Sequence, residues 1–340
     1  MAKHHYITCT GFGGTGSSVI SDLMKEFENV KSCGDSYELS MAFQIDGISD
    51  LQHYIVDDFE RNKVAEAIYR FRKMTGELSK EYKTVFPNFE DLISKYLQSL
   101  VDVDFMGANV FHPLRYNKFI RFFYYDLPLR VQNKILKLLP RKDSYERTPL
   151  LKKYLPIEIS MEGNRFFTAT KELYADILDS FDKENKYEYL CFDQLVPAYN
   201  FCRYEKYFSN IKIILVDRDP RDLYLLNELF WHEAWIPSAD IECFIKWYLI
   251  LRKNKEQDLK SSDSVLFLQF EDAVYKYSET IPKILEFIGL SEEQHISKKQ
   301  FFNPEKSKNN TRLWLKFNVR KNEISRIEHE LSQYCYPYDL

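Results

Sequence analysis

The chain has 340 residues, of which 45% are hydrophobic and 29% charged, with a formal net charge of −4. That length and balance suit a folded, enzyme-sized protein and exclude a disordered chain, while the acidic excess argues against a dedicated nucleic-acid binder. No run reaches the ~20 apolar residues of a membrane-spanning helix, and the start, Met1-Ala-Lys-His-His, lacks a secretory core. The six cysteines are scattered without Cys-x-x-Cys spacing, so buried free thiols in a reducing, cytoplasmic setting are expected.

The first predicted element is a strand, Tyr6–Thr10, a short run of apolar and β-branched residues. It feeds Gly11-Phe12-Gly13-Gly14-Thr15-Gly16-Ser17-Ser18, which holds four of the chain's ten glycines, and a helical pattern follows over Ser17–Asn29. A glycine loop between a strand and a helix lets backbone N–H groups approach the oxygens of an anion without Cβ interference. The same residues fit two templates. Gly11, Gly13 and Gly16 satisfy Gly-x-Gly-x-x-Gly, with Asp35 or Glu38 as the acid beyond it. Gly11 to Ser18 also satisfies a triphosphate loop, except that Ser17 stands at the lysine position. The first template would require a strand ending in the acid, and Ser32–Ser40 reads as polar and turn-like; the second lacks the cation that neutralises a transferred phosphate.

From about Leu51 to Pro156 the pattern turns mostly helical. Residues 101–160 carry eleven basic side chains (Arg115, Lys118, Arg121, Arg130, Lys134, Lys137, Arg141, Lys142, Arg147, Lys152 and Lys153) against six acids. A basic insertion in an acidic chain suits either an anionic substrate or a solvated helical surface. Its aromatics, including Phe111, Tyr116, Phe122, Phe123, Tyr124 and Tyr125, suit sugar stacking or a core.

Beyond the insertion, helices are expected over Phe167–Phe181, Ala239–Lys255, Ala273–Ile288 and Asn322–Tyr334. Strands are expected over Tyr189–Asp193, Ile211–Val216 and Val265–Gln269. Strands alternating with helices predict an α/β fold: a P-loop-like parallel sheet flanked by helices, with a helical insertion (51–156) after the first strand–loop–helix, all within one domain of residues 1–340. The third strand runs into Arg218-Asp-Pro-Arg-Asp222. Pro220 starts a helix where its missing N–H costs nothing, and Asp219 can cap it. Arg218 is thereby placed at the C-terminal edge of the sheet, where ligands of open α/β sheets bind, and its guanidinium suits a phosphate.

Arg218-Asp-Pro-Arg-Asp222 resembles the Arg-[Asn/Asp]-Pro-x-Asp motif of the sulfotransferases that use 3′-phosphoadenosine 5′-phosphosulfate (PAPS), in particular their bacterial carbohydrate-directed branch. Phe270-Glu-Asp272, Asn303-Pro-Glu-Lys-Ser-Lys-Asn-Asn-Thr-Arg-Leu-Trp314, Phe192-Asp-Gln194 and Arg203-Tyr-Glu-Lys-Tyr-Phe208 resemble further segments of that family. The resemblance implies transfer of a sulfuryl group from PAPS to a hydroxyl or amine of a carbohydrate acceptor, leaving adenosine 3′,5′-bisphosphate. It implies that Gly13, Gly14, Thr15, Gly16, Ser17 and Ser18 hold the 5′-phosphosulfate. Arg218, with Lys306 and Lys308 of the C-terminal loop, would hold the 3′-phosphate, and no metal is required. Glu38, in Ser36-Tyr-Glu-Leu-Ser-Met-Ala-Phe43, is the first candidate for the general base, with Asp35, Asp46 and His53 as rivals; Asp193 and Lys171 are weaker candidates for ligand contact. The chain departs from the family at Phe12, where Lys or Arg is usual, and at Leu226, where the family has serine, leaving Arg221, Lys306 or Lys308 as substitutes. A nicotinamide-dependent oxidoreductase and a homologue that binds nucleotide or glycan without catalysis are the alternatives.

Overall fold

The structure, a computed structural model, describes residues 3–34, 37–58, 61–107, 115–138, 155–160 and 163–338. Asp35, Phe111, Arg141, Lys142, Arg147, Lys152 and Lys153 lie outside the described residues. The chain divides into two compact units. One comprises Met1–Gln44, Glu81–Leu92 and Thr170–Leu340; the other comprises Ile45–Lys80 and Ile93–Ala169.

The first unit is built on five strands: β1 (His5–Gly11), β2 (Val30–Ser32), β5 (Tyr189–Asp193), β6 (Ile211–Asp217) and β7 (Val265–Gln269). They lie in the order β2-β5-β1-β6-β7, and every pair is parallel. The central strands are near-continuous apolar runs because both faces are covered: all of β5 is buried, as is all of β6 except Lys212. Ile7 and Cys9 of β1 with Ile214 and Val216 of β6 pack against Ile20 and Leu23 of the helix Ser18–Met24 and Ile284 and Leu285 of the helix Tyr277–Ile288. A separate cluster joins Leu223 and Leu226 of Pro220–Leu226 to Phe244 and Tyr248 of Ile241–Arg252 and Ile324 and Ile327 of Lys321–Glu330.

The predicted parallel α/β fold is thus the observed one, with three local differences. The helix expected over Ser17–Asn29 stops at Met24. β2 follows it, a three-residue edge strand, Val-Lys-Ser, too short and polar to announce itself by periodicity. The helix expected over Ala273–Ile288 starts earlier and is broken at Lys276 into Phe270–Tyr275 and Tyr277–Ile288.

The second unit holds most of the helices Arg61–Tyr82 and Phe89–Leu100, and an antiparallel pair, β3 (Val103–Gly107) and β4 (Leu155–Ile159). Arg115 pairs with Glu66 at 2.8 Å and stacks 3.7 Å from the ring centre of Tyr69. No helix among the described residues is long and apolar enough to cross a membrane.

Candidate functional site

The parallel register sets Gly11 of β1 opposite Val216 of β6, two residues before Arg218. Adjacent strands run ~4.8 Å apart, so the glycine loop and Arg218 leave the same edge of the sheet side by side. Thr15 closes the loop onto that neighbour, its hydroxyl donating to the Val216 carbonyl at 2.7 Å. The glycines are required where the loop turns. Gly13 has φ +91°, and a Cβ there would meet the Trp235 ring at 2.2 Å; Gly16 has φ +86°, and a Cβ there would meet the Phe270 ring at 2.7 Å. Ser17 precedes the helix Ser18–Met24 and its side chain caps no backbone N–H of it.

Phe12 has a structural explanation that the sequence did not announce. Its buried ring lies 4.4 Å from the guanidinium of Arg252. Arg252, itself fully buried, donates to both carboxylate oxygens of Asp217, with the shortest distance 2.6 Å, and Lys255 reaches the same carboxylate at 3.0 Å. Burial alone would push the Asp217 carboxyl up, but the two cations hold it below the ordinary carboxylate range. A cation does lie beside position 12, but it comes from the helix Ile241–Arg252, and its charge is engaged by Asp217.

Arg218 is buried at the start of the turn that Pro220 and Asp219 make into the helix Pro220–Leu226. Its backbone carbonyl accepts from the Tyr248 hydroxyl at 3.0 Å, and its guanidinium lies 4.3 Å from the centre of the Phe270 ring. Nη2 donates to the Asn310 carbonyl, while Nε has no hydrogen-bond partner. Three acids surround it. Asp219 accepts from the Arg221 side chain (2.6 and 3.0 Å) and from the Tyr336 N–H. Asp222 accepts from the N–H groups of Arg312 (3.0 Å) and Leu313 (2.8 Å) and from the Tyr338 hydroxyl. Glu271 accepts from the Asp219 N–H through Oε1 at 3.1 Å, but its buried Oε2 has no partner. Burial pushes the Glu271 carboxyl up to about 8 against the pull of Arg218. Burial, followed by the Asp219 charge, pushes Asp222 to about 6, and burial lowers the guanidinium of Arg218 itself. A buried guanidinium with a free N–H, beside a carboxyl that favours its neutral form, is a place where an anion can be held.

The C-terminal loop is brought to Arg218 through Asn310, a residue the sequence reading did not single out. Lys308 pairs with Glu305 at 2.8 Å, Lys306 is exposed, and Lys316 donates to the carbonyls of Lys308 and Asn309. Upstream, buried Glu26 anchors the loop by accepting from His295 (2.6 Å) and from the N–H groups of Lys299, Phe301 and Phe302. Of the remaining substitutes for the missing serine, Arg221 is tied to Asp219 and Glu328 and stacks 3.8 Å from the Trp314 ring, while Leu226, at the serine position itself, lies in the core.

Glu38 reaches the loop from the other side. A parallel bridge joins it to Asp193 at the end of β5, with the Leu39 N–H donating to the Asp193 carbonyl at 3.1 Å, and the Tyr82 hydroxyl donates to the Glu38 carbonyl. Its side chain is exposed. Glu38, Gly11, Phe12, Gly13, Gln194, Trp235 and Trp247 line one cleft of about 480 Å³. Asp193 itself is buried and faces the Cys9 thiol at 3.2 Å. Asp46 pairs with Arg70 within the second unit, and His53 packs on Tyr54. Lys171 is half-buried on the helix Asn164–Asp179.

The dinucleotide template fails on topology. Its acid must end a strand adjacent to the first one, whereas β2 pairs with β5, and β1 is flanked by β5 and β6.

No family model matches the chain, and no curated protein matches it. Solved structures with some likeness are the sulfotransferase domain from the curacin biosynthetic pathway (11% identity, TM-score 0.41, 98% of this chain and 99% of that one) and the sulfotransferase domain from the Synechococcus PCC 7002 olefin synthase (11%, 0.40, 99% and 95%). A third is retinol dehydratase in complex with androsterone and the inactive cofactor PAP (13%, 0.32, 98% and 82%). Likeness at this distance carries no inference about chemistry, which rests on the residues described above.

Proposed function

We propose that the chain is a PAPS-dependent sulfotransferase that sulfates a hydroxyl or amine of a carbohydrate acceptor. The observation that carries the reading is the pairing, at one sheet edge, of the glycine loop after β1 with a buried Arg218 after β6 whose Nε lacks a partner. The residues fit a nucleotide with phosphates at two positions. The backbone of Gly13, Gly14, Thr15, Gly16, Ser17 and Ser18 would hold the 5′-phosphosulfate, with Thr15 acting through its N–H because its hydroxyl serves Val216. Arg218, with Lys306 and Lys308, would hold the 3′-phosphate. Bound PAPS supplies the sulfuryl group. The chain's part is to fix the donor, to place N–H groups where charge grows on the departing phosphate, and to take the acceptor's proton. Glu38 is proposed for the last role, because its carboxylate shares a cleft with Gly11–Gly13. Trp235 and Trp247 in that cleft offer flat apolar faces to a sugar ring. The helical insertion, residues 51–156, is proposed to contribute to acceptor binding.

A second reading, a nucleotide- and glycan-binding protein without transfer activity, is favoured by one observation: Phe12 lies under Arg252, whose charge is already paired. Two measurements separate the readings. Adenosine 3′,5′-bisphosphate is expected to raise the Tm, and Arg218→Ala to remove the rise; at a ligand concentration of ~100 Kd the gain is ~2.7 kcal/mol. Transfer of labelled sulfate from PAPS to a panel of glycans then distinguishes the enzyme from the binding protein. No thermal shift with the bisphosphate at millimolar concentration overturns both.

A further inference from the structure

A continuous helical stretch runs through Lys118–Arg121, a wider-wound segment Phe122–Asp126, and Leu127–Leu136, and no side chain in it is buried. The stretch is not polar. Phe119, Phe123, Tyr124 and Ile135 are all more than half exposed, as is Leu138 just beyond it. Contiguous apolar exposure on a folded protein marks an interaction surface.

The charge pattern says what kind. Lys118, Arg121, Arg130, Lys134 and Lys137 stand against Asp126 alone, giving a net +4 over these residues in a chain of net −4. In the last three turns Leu127, Val131 and Ile135 recur every four residues, so they share one face; Leu138 follows just beyond the helix, and all four are exposed. Arg130, Lys134 and Lys137, spaced four and three, form the stripe beside that face, while the far side carries Leu129, Gln132, Asn133 and Leu136, all of them half-buried. Long basic side chains flanking an apolar face can extend their charged ends outward while the face is buried.

We propose that residues 118–138 form an interfacial helix that seats this protein on an anionic lipid surface, with the Phe119–Leu138 apolar side chains in the acyl boundary and the basic stripe among the headgroups. The alternative occupant, a second copy of the chain meeting its own face antiparallel about a two-fold axis, would bring the Arg130–Lys137 stripe of one copy against that of the other. An anionic bilayer answers the apolar face and the positive stripe together.

The test uses the full chain and vesicles of phosphatidylcholine, alone or mixed with phosphatidylglycerol. Co-sedimentation with the mixed vesicles is expected, declining as salt rises. At ~5-fold in binding per basic residue, Arg130→Gln/Lys134→Gln/Lys137→Gln should weaken partitioning on the order of a hundredfold. Phe119→Ser/Phe123→Ser should remove binding, and both variants should keep the wild-type Tm because the altered side chains are not buried. Should a multiple variant fold poorly, the single reversal Lys134→Glu serves, with an expected loss greater than five-fold. The proposal is overturned if the protein ignores both vesicle types, or if the basic-stripe variants bind as tightly as wild type. It is equally overturned if light scattering shows a dimer that Phe119→Ser/Phe123→Ser dissolves while no form binds vesicles. None of these outcomes depends on sulfuryl transfer.

Discussion

Replacing Glu271 with glutamine tests the electrostatics around Arg218 more directly than removing the arginine. Glu271 is fully buried, with one oxygen on the Asp219 N–H and the other unpartnered, and burial moves its carboxyl from 4.5 to about 8. Below pH 4.5 the folded and unfolded chains both carry this proton. As pH rises from there to about 8, the unfolded chain releases it while the folded chain keeps it, so stability falls with pH across that window and the fall ends once the folded group ionises too. At ~1.4 kcal/mol per pH unit the full penalty is on the order of 5 kcal/mol. Glu271→Gln keeps the acceptor for the Asp219 N–H and puts an N–H₂ where the proton sits, with nothing to ionise. The variant should therefore match wild type at about pH 4.5 and exceed it by several kcal/mol at about pH 8.5. Urea unfolding of both proteins at a series of pH values measures this. Parallel pH profiles for the two, or a variant that loses stability faster as pH rises, would refute the assignment of a buried neutral carboxyl at 271.

Three further outcomes follow from the geometry. Gly16→Ala forces an L-residue to φ +86° and a methyl group into Phe270, which should cost about 3 kcal/mol and abolish the thermal shift with adenosine 3′,5′-bisphosphate. Asp217→Asn leaves Arg252 buried beside a neutral amide and should lower the unfolding free energy by about 3–5 kcal/mol in a urea titration; a loss below 1 kcal/mol would show that Lys255 and the aromatic rings suffice. Glu38→Gln should retain the bisphosphate thermal shift while sulfate transfer falls by about 10²–10⁴, and unchanged transfer would remove Glu38 from the proton-accepting role.

What could be read from the sequence follows from which interactions are local. The four central and edge strands of the sheet were legible because burial on both faces leaves unbroken apolar runs, and β2 was not, because Val30-Lys31-Ser32 has neither length nor pattern. The placement of Arg218 was legible because a strand, a cap and a proline lie within nine residues of one another. The partnership of Arg252 with Asp217 spans 35 positions and no periodicity links them, so Phe12 read only as a missing cation. Arg221 read as a possible substitute for the missing serine because two of its partners, Glu328 and Trp314, come from the distant C-terminal segment, and only Asp219 lies near it in sequence. The aromatic lids over the glycines, Trp235 on Gly13 and Phe270 on Gly16, are likewise long-range.

The ties from Asp222 to Arg312 and Leu313 bear on timing as much as on placement. Because that carboxylate and the Glu26 anchor hold residues 295–313 in position before any anion arrives, a ligand reaching Arg218 would not have to order a floppy segment as it binds. Affinity would then be set chiefly by escape, and a ligand could leave only as fast as the segment around Asn310 lets go of the arginine. Loosening Asp222, by substitution or by protonation near its pKa of about 6, is therefore expected to show first as a shorter residence time rather than as a slower arrival.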